Sequence, residues 1–141
     1  QFDLENISTI SNYSNHSFLY TGTHDNNTLI GWFNSLPMES SNEGNASQKK
    51  ILEYFGCDIK NIHLKLINYA FQSKSNAVVV PVQDILGMDS SNRFNIPGTL
   101  SDSNWIWRLE EGEITSSIKK KIIQITESSN RNRGINKGML I

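Results

Sequence analysis

The sequence predicts an α/β fold that forms part of a larger parallel sheet or barrel. Three observations predict it. The segments run strand, helices, strand, helix, an order that lays two strands parallel with a helical crossover between them. Ala77-Val78-Val79-Val80-Pro81-Val82 is a continuous β-branched run of the kind found in strands covered on both faces. Finally, two strands alone leave two edges unpaired and make no self-sufficient sheet.

Residues 1–17 are polar and rich in Asn and Ser, and read as a lead-in loop with room for a short helix near Leu4. Phe18-Leu19-Tyr20-Thr21, closed by Gly22, suits a short buried strand. Asn27-Thr28-Leu29-Ile30-Gly31-Trp32-Phe33 suits a helix start, capped by Asn26 or Asn27. Pro37 and Glu39–Asn45 mark a loop.

Ser47–Phe55 reads as a helix stopped by Gly56, with Ile51 and Phe55 on one face. Ile59–Ser73 is a stronger helix, because Ile62, Leu66, Tyr69 and Ala70 repeat at helical spacing. The run Ala77–Val82 follows as the second strand, with Pro81 near its end because proline cannot donate to a ladder. Residues 84–104 read as one long loop, a length that in a compact domain points either to function or to a misassigned element. Thr115–Ser128 is the last helix, with Ile118, Ile122 and Ile125 on one face, and 129–141 read as a frayed tail.

Composition narrows the function classes. Hydrophobic residues make up 37% of the 141, which supports a packed core and argues against disorder. The net charge of −1 gives no electrostatic case for nucleic acid or an anionic membrane. No apolar run approaches a membrane span. The single cysteine, Cys57, excludes an internal disulfide framework, and no Cys/His cluster has zinc-ligand spacing, so neither metal nor cofactor is expected. The triplets at Asn6, Asn12, Asn15, Asn26 and Asn45 match the glycosylation pattern by chance in so Asn- and Ser-rich a chain. The first residue is Gln1 and not Met, so the natural N-terminus is expected upstream and targeting is unread.

His24 and Asp25 directly follow the first strand, the position at which (β/α)8 barrels carry their catalytic groups. The pair reads equally well as a sugar-facing carboxylate beside an imidazole donor, or as a helix cap with a structural histidine. Gln83-Asp84 stand in the equivalent place after the second strand, as a loop anchor or a ligand contact. Asn95-Ile96-Pro97-Gly98-Thr99 is a turn signal. Asn104, Trp105 and Trp107 offer a sugar-stacking surface, but core packing is the better reading of the two tryptophans. His63 and Cys57 have no evident partner and read as structural.

Together these segments resemble the amylomaltase (disproportionating enzyme) family of 4-alpha-glucanotransferases, glycoside hydrolase family 77. Tyr20-Thr21-Gly22-Thr23-His24-Asp25-Asn26-Asn27-Thr28, with Gly31-Trp32 after it, looks like the family's strand-seven motif. Pro81-Val82-Gln83-Asp84-Ile85-Leu86-Gly87 looks like its strand-eight segment. Arg93-Phe94-Asn95-Ile96-Pro97-Gly98-Thr99 and Asn104-Trp105-Ile106-Trp107-Arg108 resemble the family's loop and helix after strand eight. The order of four blocks is specific, whereas His-Asp alone is shared across the wider α-amylase clan. The sequence departs from the family at Asn27, where Asp is common, and at Ile96 and Ile106, where smaller or polar residues are frequent.

The resemblance covers roughly residues 18–128 and implies the last two strand–helix units of a (β/α)8 TIM barrel. It implies a retaining double displacement that moves 1,4-α-glucan segments to an acceptor 4-hydroxyl. Asp25 would be the transition-state-stabilising carboxylate. His24, Asn95, Pro97 and Gly98 would bind substrate. The nucleophilic aspartate and the glutamate acid/base belong to earlier strands and have no candidate here, so the chain alone is expected to be inactive. Malto-oligosaccharide or α-1,4-glucan is the implied partner, and a bacterial cytoplasm or a plastid the implied setting. The rival reading is a non-catalytic, glucan-binding or structural segment of a split or degenerate homologue.

Overall fold

A computed structural model describes residues 14–39 and 46–131. The expected helix near Leu4, most of the lead-in and of the 39–45 loop, and the tail past residue 131 lie outside the described residues. Strand β1 is Phe18–Tyr20, and helices α1, Leu29–Ser35, and α2, Gln48–Phe55, come next. A 3-10 turn at Ile59–Asn61 leads into α3, Ile62–Phe71. Strand β2 is Ala77–Val79, α4 is Val82–Leu86, a second 3-10 turn is Ser90–Asn92, and α5 is Ser116–Ser128. The two strands pair in parallel, with Leu19 opposite Val78, as the order of elements predicts.

The helix ends follow capping chemistry. Ser47 accepts from the Lys50 amide at the start of α2, and Gly56 closes that helix in the left-handed region, as its sequence predicts. Thr115 caps α5 in the same way. At α1 the cap is Thr28, whose Oγ1 accepts from the Gly31 amide at 3.0 Å, and not Asn26 or Asn27. Asn27 lies over Gly31 instead, where a side chain at position 31 would collide with the Asn27 amide.

The core joins Leu19 of β1 to Leu29, Trp32 and Phe33 of α1, Ile51 of α2, and Ile62, Leu66, Ile67 and Ala70 of α3. Val78 packs onto it from β2, so one face of the strand pair is covered by helices. The other face is bare: Phe18 is 63% exposed, Tyr20 51% and Val79 41%. Within this chain only one face of the strand pair is covered, because side chains alternate across a sheet and only one side has helices to cover it.

The expected 84–104 loop is interrupted. Pro81 precedes α4 and Gly87 closes it in the left-handed region, the pairing of proline and glycine that brackets a helix. The run that reads as strand to Val82 thus ends at Val79. Helix α5 lays Ile118, Ile122 and Ile125 half-buried. Beyond it, Arg131 donates to the carbonyls of Phe71, Ser73 and Ser75 at 2.6, 2.7 and 2.9 Å. The guanidinium there meets the last carbonyl of α3 and two in the segment that leads to β2.

Candidate active site

The segment between β1 and α1 carries His24 and Asp25 at the corner of a tight turn. The Asn26 amide donates to the Thr23 carbonyl at 3.1 Å. Asn26 Oδ1 accepts from both the amide and the hydroxyl of Thr23 at 2.8 Å. This closure leaves His24 and Asp25 as the two central residues, with their side chains about half exposed. Asp25 does not cap α1, since Thr28 takes that role, so the capping alternative for the pair falls.

Two side chains reach the Asp25 carboxylate. Asn95 Nδ2 donates to Oδ1 at 2.7 Å. His24 Nε2 lies 3.2 Å from Oδ2. Each carboxylate oxygen has two lone pairs, so both keep one acceptor site for a ligand. Arg93 fixes the approach of Asn95: its guanidinium donates to the Asp25 carbonyl at 3.0 Å and to the Asn95 carbonyl at 3.2 Å.

Beyond Asn95 the chain turns with Pro97 and Gly98 at the centre. The Thr99 amide donates to the Ile96 carbonyl at 3.2 Å, and Gly98 has φ +74, a conformation that favours glycine. Asn104 closes this loop by accepting from the Ile96 amide and donating to the Thr99 carbonyl, both at 3.1 Å. The turn brings Asn95 to Asp25, but among the described residues no hydrogen bond links Pro97 or Gly98 to His24 or Asp25.

Trp105 departs from its reading as core. Its ring lies 5.0 Å from the His24 imidazole and is 53% exposed. Its backbone is left-handed, φ 68, and its amide donates to the Phe94 carbonyl at 2.7 Å. In this conformation the indole lies beside His24. Trp107 is only half-buried and stands outside the core cluster, edge-on to Phe94 at 5.6 Å, with Nε1 donating to Asn92 Oδ1 at 3.2 Å. Trp32 is core.

Beneath the turn sits Asp84, only 2% exposed. Its Oδ2 accepts from Thr21 Oγ1 at 2.9 Å and its Oδ1 from the Leu29 amide at 2.8 Å. Burial pushes its carboxyl pKa up, and the two hydrogen bonds pull part of the way back. Of the two roles open to Asp84, anchoring is the one this geometry supports. Gln83, beside it, is buried and reaches the Asn92 carbonyl only at 3.4 Å.

A cleft of about 550 Å³ passes this site, lined by Tyr20, His24, Asn27, Gln83, Arg93 and Phe94 among others. A second, of about 280 Å³, is lined by Thr21, Asp25, Asn26, Trp32 and Arg93 among others. A wider groove, about 960 Å³ between α2, α3 and α5, includes none of these residues. Among the described residues no cluster of His, Cys, Asp or Glu is built to hold a metal ion. None of the helices described is long and apolar enough to cross a membrane.

The contributions of Arg93, Asn26 and Trp105 to the site go beyond what sequence reasoning finds. Arg93 and Trp105 act across the fold, where spacing gives no signal. Asn26 is legible as the last residue of a Thr-x-x-Asn turn.

Comparison with known proteins gives a consistent answer. A family described as 4-alpha-glucanotransferase matches residues 1–115. A 4-alpha-glucanotransferase of Synechocystis is 40% identical over 118 residues, 82% of this chain and 22% of the relative. The chloroplastic/amyloplastic 4-alpha-glucanotransferase of Solanum tuberosum is 36% identical over 108 residues, 76% of this chain and 17% of the relative. The amylomaltase of Streptococcus agalactiae, solved in complex with acarbose, superposes with a TM-score of 0.72 at 26% identity, over 88% of this chain and 24% of that one. The chain spans about a fifth of the length of the curated relatives it matches. With the His-Asp turn, the Asn-Pro-Gly loop and the parallel strand pair on one surface, the chain belongs to the 4-alpha-glucanotransferases of glycoside hydrolase family 77.

Proposed function

We propose that this chain is the last two strand–helix units of the (β/α)8 barrel of a 4-alpha-glucanotransferase, and that Asp25 is that enzyme's transition-state-stabilising carboxylate. The observation that carries the reading is the Asp25 carboxylate, raised on a turn directly after a parallel strand and steadied by Asn95 and His24. Its two remaining acceptor sites suit the vicinal hydroxyls of a glucose ring. The substrate is a malto-oligosaccharide or α-1,4-glucan, and the setting a bacterial cytoplasm or a plastid.

In a retaining transfer, an aspartate elsewhere in the barrel attacks the anomeric carbon while a glutamic acid protonates the leaving oxygen. An acceptor 4-hydroxyl then takes the glycosyl unit in place of water. This chain's residues act on the sugar ring and not on the bond being broken. Hydrogen bonds from the ring hydroxyls to Asp25 shorten as positive charge builds on the ring, and only such tightening accelerates the reaction. A carboxylate suits this role because charge-assisted hydrogen bonds exceed neutral ones. With sugar bound, His24 turns its ring N–H from Asp25 to the same sugar. The loop through Asn95, Pro97 and Gly98 overhangs the site and keeps water from the intermediate, which favours transfer over hydrolysis.

The test is Asp25→Asn in the full-length enzyme. Maltotriose disproportionation is expected to fall by about 100-fold or more, while oligosaccharide binding persists. Near-normal transfer by the variant would sink the assignment.

A further inference from the structure

The His-Asp turn has no regular structure of its own to hold it. It runs from the end of β1 at Tyr20 to the start of α1 at Leu29, and its internal bonds fix its shape without fixing where it sits. Its two ends converge on one side chain. Thr21, at the entry, donates its hydroxyl to Asp84 Oδ2 at 2.9 Å, and Leu29, at the exit, donates its amide to Asp84 Oδ1 at 2.8 Å. The Leu29 amide belongs to the first turn of α1 and has no carbonyl within the helix to bond. Thr21 and Asp84 are buried, so these bonds exchange little with water. All three residues lie within this chain, and the contact does not depend on any other part of a barrel.

We propose that Asp84 is a positioning residue: by clamping Thr21 and Leu29 it sets the height and direction of the turn that presents His24 and Asp25. The inference rests on the reading of Asp25 as a sugar-binding catalytic carboxylate. Asp84 itself touches no substrate. Its carboxylate is almost wholly buried and is spent on holding both ends of the turn, while Asn95 and Arg93 hold Asp25 from the 93–95 loop. A displacement of about 1 Å at a reacting group costs on the order of 100-fold in rate, so loosening the Asp84 clamp falls on turnover more than on binding.

The chemistry needed is two hydrogen bonds, and charge is not required. An asparagine at this position can accept from the Leu29 amide through its oxygen and donate to Thr21 Oγ1 through its nitrogen. Alanine can do neither. This ordering separates positioning from a role of the charge itself.

The experiment uses the full-length enzyme with Asp84→Ala, Asp84→Asn, Thr21→Val and Thr21→Ser. Steady-state kinetics on maltotriose are read beside hydrogen exchange of the amides in 21–29. Asp84→Ala is expected to lower kcat by about 100-fold, to change KM by less than about 3-fold, and to speed exchange in 21–29 while that of α3 is kept. Asp84→Asn is expected to restore kcat to within about 10-fold of wild type. Should Asp84→Ala fail to fold, Thr21→Val is expected to show the same split more weakly, with Thr21→Ser restoring it. Unchanged exchange in 21–29, unchanged kcat in folded Asp84→Ala, or Asp84→Asn as damaged as Asp84→Ala would each overturn the proposal. If wild type proves inactive, the catalytic reading of Asp25 fails, and the exchange measurement alone decides whether Asp84 holds the turn.

Discussion

Asn95 is where the roles at the site can be separated one side chain at a time. Its amide lies 2.7 Å from Asp25 Oδ1, so it orients the carboxylate directly, in addition to any contact with sugar. Asn95→Ala removes one donor and is expected to lower transfer about 10-fold. Asn95→Asp removes the same donor and sets a like charge against Asp25, and is expected to lower it about 100-fold. An Asn95→Asp enzyme as active as Asn95→Ala would show that the two side chains do not meet during turnover. The residues of this contact are visible in the sequence, but their partnership is not: Asn95 and Asp25 are separated by 70 positions, and Arg93 reaches the Asp25 carbonyl across 68. Spacing can place a carboxylate after a strand. It cannot say that an arginine two residues before an asparagine will bind the backbone beneath that carboxylate.

At the level of elements, helices with apolar periodicity and cap residues are legible in the sequence, and the short helix α4 is not. A helix of 5 residues holds too little periodicity to register, and its β-branched flank reads as strand. The fold has a physical need for it, since it buries Asp84 and brings Gly87 against His63. A side chain on Gly87 would stand 2.9 Å from the His63 ring. His63 Nδ1 is buried without a hydrogen-bond partner among the described residues. Burial and the positive charge of Lys121 on α5 both hold the His63 pKa below its ordinary 6.5. The fold therefore favours the neutral ring. Its contribution to stability is full above the unfolded-state pKa and is lost as pH falls from there through the lower folded-state value. The urea midpoint of the wild-type protein is expected to fall between about pH 7 and about pH 5, and His63→Leu to flatten that decline. An equal acid-side slope in the variant would show that another group carries it.

The whole molecule is governed by the uncovered side of its sheet. Leu19 and Val78 meet the helices, and Phe18, Tyr20 and Val79 on the other face are left largely exposed among the described residues. Two parallel strands also expose an unpaired edge each, an arrangement with little independent stability. The shortage of strands is legible from the sequence. Which face is bare is not, since that depends on where the helices pack. In a closed barrel the outward-facing residues become interior, filled by side chains from the remaining strands. The proposed enzyme then divides its chemistry: Asp25 steadies the sugar ring from this chain, while bond breaking falls to carboxylates on other strands. A carboxylate that only binds ring hydroxyls offers neither a nucleophile at the anomeric carbon nor a proton for the leaving oxygen. The 141-residue chain alone is therefore expected to release no glucose from maltotriose above a buffer blank. Supplying the preceding strands of the barrel as a separate polypeptide should restore disproportionation, and Asp25→Asn in the shorter piece should abolish the restored activity. Glucose release by the chain alone at the restored rate would mean that it holds a nucleophile and an acid of its own, and would overturn the division of roles.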